Sequence, residues 1–123
     1  MKIITNSNCN NSPKNKFIET YSINLLTKNL TELQLDSTSH LSIVLPDGKE
    51  IKNLADLEQW SMEAETVTSI ASVSHGKQAF FLALLTNKNK ENYFTIYYEF
   101  ETFKAKKIEK IILFEGHMLN RIS

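Results

Sequence analysis

Two short stretches of the chain, 79–86 (AFFLALLT) and 110–114 (KIILF), are largely apolar at successive positions. A strand with one wet face alternates apolar and polar residues, so strands that abandon alternation need cover on both faces of their sheet. Helices from the first half of the chain supply one cover. A second subunit is expected to supply the other.

The rest of the pattern reads as helices followed by strands. Ser12 before Pro13 is a helix start, a hydroxyl N-cap with proline at the first helical position. Phe17, Ile18, Tyr21, Leu25 and Leu26 then recur at spacings of three and four, predicting a helix over 13–28 with one buried stripe. Leu30, Leu33 and Leu35 predict a second, short helix ending near Asp36, and Leu41, Ile43 and Leu45 a strand stopped by Pro46-Asp47-Gly48. A third helix starts at Asn53, with Leu54, Leu57 and Trp60 on its apolar face. From Thr66 onward strand follows strand: 66–74, a turn at His75-Gly76-Lys77, 78–86, a polar loop over 87–92, 93–103 and 108–115. In 93–103, Phe94, Ile96, Tyr98 and Phe100 share one face, with Thr95, Tyr97, Glu99 and Glu101 on the other. This order is an α+β pattern.

Composition narrows the partners. Fourteen basic residues balance fourteen acidic ones, so no whole-molecule field steers the protein toward nucleic acid or an anionic membrane. Arg121 is the single arginine, which argues against bidentate phosphate clamps. The cluster Lys104, Lys106, Lys107 and Lys110 is interleaved with Glu101 and Glu109 and reads as a solvated hairpin. Cys9 is the only cysteine, which excludes an internal disulfide and a thiolate-rich zinc site. No apolar run approaches the roughly twenty residues of a membrane span. The expectation is a soluble, cytoplasmic protein, in which the sequons at Asn10 and Asn29 have no use.

The span 16–48, KFIETYSINLLTKNLTELQLDSTSHLSIVLPDG, with the closing strand 107–115, resembles the nuclear transport factor 2-like superfamily. That α+β cone fold includes ketosteroid isomerase, scytalone dehydratase and the polyketide cyclases. The resemblance implies a strongly bent antiparallel or mixed sheet wrapped around three N-terminal helices, as in cystatin-like folds. It implies one domain over 13–123 and a homodimer paired through the outer sheet face, while the Asn-rich stretch 1–12 is expected to be a disordered leader. Ketosteroid isomerase uses a carboxylate base before the first-strand proline and an oxyanion hole of a tyrosine and a protonated aspartic acid. By that resemblance Tyr21 falls at the oxyanion tyrosine, Tyr98 close to the protonated acid, and Leu45 at the base. Leucine accepts no proton, so the isomerase mechanism fails at its essential step.

The expected site is therefore a pocket lined by Tyr21, Leu45, Trp60 and Tyr98, holding a small apolar or amphipathic molecule, with no catalytic residue identified and no cofactor. Core packing is the competing explanation of both tyrosines. Asp36 reads as a helix end and Asp47 as a turn residue. His40, His75 and His117 share no ligand spacing, so no metal site is expected. His40 with Glu63 or Glu65 is the best acid-base pair that can be assembled. Three functional classes stay open: a noncatalytic binding cone; an isomerase, dehydratase or cyclase for a polyketide-like or steroid-like substrate; and a protein-interaction module. The last predicts a cone filled by aromatics such as Phe80, Phe94, Phe100 and Tyr98.

Overall fold

The computed structural model describes residues 1–5, 12–102 and 107–118. Its elements are β1 (Lys2–Ile4), α1 (Pro13–Leu26), α2 (Leu30–Leu35), β2 (Ser37–Val44), β3 (Glu50–Ile51), a 3-10 helix (Leu54–Gln59), β4 (Thr66–His75), β5 (Gln78–Asn87), β6 (Lys90–Phe100) and β7 (Ile108–Met118). The strands form one seven-stranded sheet in the order β1-β4-β5-β6-β7-β2-β3. β1 runs parallel to β4 and β2 parallel to β7, and the other pairs are antiparallel. The sheet is open, mixed and packed on the helices, the α+β architecture the sequence implies.

α1 starts where its capping chemistry places it. Ser12 is extended and its side chain accepts from the Asn15 N–H at 3.3 Å, with Pro13 next. It ends at Leu26 with Thr27 as its C-cap, and Lys28 just beyond takes a left-handed φ of 58°. The buried face holds Ile18, Tyr21, Leu25 and Leu26 together with two polar residues, Glu19 and Ser22. Glu19 lies beside the half-exposed Lys16 ammonium at 3.2 Å. The Lys14 ammonium donates to the Gly76 carbonyl and sits 5.5 Å above the Phe100 ring, tying α1 to the β4–β5 turn.

Both doubly apolar runs are strands. In β5, Ala79, Phe81, Ala83 and Leu85 point into the core, while Phe80 faces outward, 48% exposed. The two alanines are opposite Tyr98 and Phe94 of β6, so small side chains leave room for large rings in close-packed layers. In β7, Ile111 and Leu113 are buried and Phe114 is 51% exposed.

The structure corrects several expectations. Residues 2–4, assigned to the disordered leader, form β1, too short to show a period of its own. The third helix is a 3-10 helix, and Trp60 is its extended C-cap. The polar loop expected over 87–92 shrinks to a two-residue turn, because β5 continues through Asn87 and β6 begins at Lys90. β6 ends at Phe100 rather than 103. Leu35 is 65% exposed instead of buried. Cys9, Asn10, Lys104, Lys106 and Arg121, and the side chain of His117, lie outside the described residues.

Candidate functional site

Tyr21 and Tyr98 come from α1 and β6 and meet edge to face, ring centroids 5.4 Å apart at 89°. Both are buried, 2% and 0% exposed. The Tyr21 hydroxyl lies 2.7 Å from Ser37 Oγ, and Ser37 donates to the Leu33 carbonyl at 2.6 Å. A serine hydroxyl has one proton and a carbonyl only accepts, so Tyr21 must donate to Ser37. The Tyr98 hydroxyl lies 2.7 Å from Ser22 Oγ. Each phenol therefore has a serine partner from the helical layer or the strand beside it.

Burial pushes both phenols above the ordinary tyrosine range. For both, desolvation is the largest cause. Phenols held protonated this firmly are poor bases, and the Tyr21 proton is already committed to Ser37. Leu45, which the sequence resemblance sets at the isomerase base, is 4% exposed and offers only hydrocarbon.

Other rings pack near the tyrosines. Phe17 lies 6.2 Å from Tyr21 and 6.1 Å from Phe100. Farther along β6, Trp60 stacks on Phe94 at 5.9 Å and 18°. Phe81, Phe94 and Phe100 have no exposed surface. Phe80 is not part of this cluster; it is on the outer sheet face against Tyr97, 5.2 Å away.

The other candidates do not converge. His40 pairs with Glu109 at 3.5 Å rather than with Glu63 or Glu65, and Glu65 accepts from the Lys88 N–H. Asp47 accepts from the Lys49 N–H inside its turn. The Asp36 carboxyl is pushed upward, first by desolvation and then by Glu32. Among the described residues no group of three or more potential ligands could hold a metal, and no helix is long and apolar enough to cross a membrane. Sequence reasoning missed Ser22 and Ser37, the partners of both phenols. The only signal was position, since Ser22 lies three residues before Leu25 on the buried stripe.

No family model matches the chain, and no curated protein matches it in sequence. Its likeness is to solved structures. One is a nuclear transport factor 2-like protein of unknown function from Burkholderia xenovorans, at TM-score 0.69 and 9% identity, covering 89% of this chain and 88% of that one. A second is a candidate ketosteroid isomerase from Kribbella flavida, at TM-score 0.68 and 14% identity, covering 89% and 82%. A third, a nuclear transport factor 2-like protein of unknown function from Cytophaga hutchinsonii, matches at TM-score 0.59 and 10% identity over 84% and 89%. The chain has the nuclear transport factor 2-like fold.

Proposed function

We propose that this chain is a noncatalytic module of the nuclear transport factor 2-like fold that works by protein pairing, as a homodimer through the outer face of its sheet. One observation carries the reading: an unbroken apolar row crosses that face. Val73 pairs with Phe80, Phe80 with Tyr97, Tyr97 with Ile112 and Ile112 with Val44, one residue from each of five strands. A second row, apolar except at Thr95, runs Ala71, Leu82, Thr95, Phe114. Val73 is 57%, Phe80 48% and Phe114 51% exposed. Continuous apolar surface of this kind marks an interaction site, and an isologous pair is the commonest way to cover it.

The reading in which a small apolar or amphipathic ligand sits beside Tyr21, Leu45, Trp60 and Tyr98 retains one observation in its favour, four hydroxyls concentrated in an apolar interior. A ligand there must displace serines and rings that already satisfy one another. The isomerase, dehydratase or cyclase reading still lacks its base at Leu45.

Light scattering on the purified protein tests the proposal. Twice the subunit mass is expected at micromolar concentration, falling to one subunit in Phe80→Glu/Phe114→Glu with the circular dichroism spectrum unchanged. A single-subunit mass for the unmodified chain overturns it.

A further inference from the structure

A cavity of about 530 Å³, open to solvent, lies between α2, the first half of β2 and the start of the 3-10 helix, with Lys107 also on its wall. Its origin is a break in register. Ser37 pairs with Ile108 and Ser42 with Lys110, so four residues of β2, 38–41, stand against Glu109 alone. A bulge with three surplus residues bends its strand away from its neighbour.

That bulge is not optimised for packing. The Thr38 hydroxyl is buried without a hydrogen-bond partner, a cost of the kind that stability does not explain. Leu41 and Leu54, nearly buried, give the cavity an apolar floor, and Gln34 and Ser39 add neutral polar groups to its wall. Its two charged lining residues are both cations, Lys52 and Lys107. Lys52 pairs with the exposed Glu50 at 3.3 Å. Among the described residues the Lys107 ammonium makes no ion pair or hydrogen bond. The nearby Asp36 feels the Lys107 charge, which opposes the upward push of desolvation and Glu32 on its carboxyl, but the two form no ion pair.

We infer that this cavity binds a compact hydroxylated anion, a carboxylate or phosphate on a short polyol body, between Lys107 and Lys52. Ammonium groups act as point charges and need no bidentate geometry, which fits a chain with one arginine. The volume falls within the range of small-molecule pockets. The site is separate from the outer sheet face, so it survives whether or not the chain pairs.

Proton–nitrogen correlation spectra of the labelled protein test this, with glycerol 3-phosphate and glycerate as probes, and glycerol and sodium chloride at matched ionic strength as controls. Saturable shifts are expected at the amides of 38–41 and 52–55 with at least one of the two anions, and none with glycerol. The stronger anion identifies the preferred head group. Lys107→Gln should weaken that binding about five-fold, the scale of one partly exposed charge contact, and Lys107→Arg should restore it. Shifts that never saturate, that chloride reproduces, that map elsewhere, or that ignore Lys107→Gln overturn the inference.

Discussion

Tyr98 on β6 and Ser22 on α1 place their hydroxyl oxygens 2.7 Å apart, both side chains fully buried. This hydrogen bond joins the helical layer to the sheet inside a mostly apolar core. A buried hydroxyl left alone costs about 1–3 kcal/mol, whereas removing both partners together can be nearly neutral. Tyr98→Phe should therefore lower stability by about 1–2 kcal/mol. Ser22→Ala should do the same, and the double variant should lose clearly less than the sum. Urea unfolding of the four proteins measures the coupling; strictly additive losses would show that the bond does not matter to stability.

The same burial gives the fold an alkaline limit. Native Tyr21 and Tyr98 hold their protons above the ordinary value of 10.0, chiefly because burial penalises the phenolate. Unfolded tyrosines ionise near pH 10, so above that pH the unfolded chain binds fewer protons and stability falls as pH rises. Below pH 10 the contribution is fully present. The loss approaches about 1.4 kcal/mol per pH unit for each phenol until the native groups themselves titrate. Unfolding free energies of the unmodified protein and of Tyr21→Phe/Tyr98→Phe, compared from about pH 9 to 11.5, should diverge in slope above pH 10. Parallel curves would refute this account.

What the sequence made legible was whatever carries a period. The stripe through Ile18, Tyr21 and Leu25 and the alternation through Phe94, Ile96, Tyr98 and Phe100 both placed their residues in the core, because burial on one face imposes spacing. The two apolar runs likewise announced a sheet with an outer face in need of cover. β1 and β3 have three and two residues, too few to show any spacing, and they exist only because β4 and β2 offer them an edge. The candidate site was legible only as its two phenols. Ser22 and Ser37 look like surface residues in the sequence, and only packing makes them partners. Phe80 and Phe81 are adjacent and chemically identical, yet one faces outward and the other is core; strand register alone separates them.

Trp60 is the only tryptophan, and its stacking on Phe94 joins the end of the 3-10 helix to the sheet. An aromatic pair adds about 0.5–1.5 kcal/mol beyond the area it buries. Trp60→Leu keeps part of that area and loses the stack, so a destabilisation of about 1–2 kcal/mol is expected, read by thermal unfolding in circular dichroism. In the unmodified protein, tryptophan fluorescence should shift to longer wavelength in the same transition. A fluorescence change that precedes the loss of secondary structure would mean that the 3-10 helix is not docked as described.

Lys88 opens the turn between β5 and β6 with φ of 58°, the left-handed region that disfavours residues with a Cβ. Its N–H donates to Glu65 Oε1 at 2.9 Å, so the backbone is held there by a contact from the loop before β4. Glycine adopts this conformation without the steric penalty, though it loses more entropy on folding. For Lys88→Gly the steric relief, roughly 1–2 kcal/mol, exceeds the entropic cost of about 0.5–1 kcal/mol, and a net gain of roughly 0.5–1 kcal/mol is expected. Lys88→Ala retains the Cβ and should gain nothing, which separates conformational relief from loss of the lysine charge. Equal shifts in melting temperature for the two variants would assign the effect to charge and reject the backbone argument.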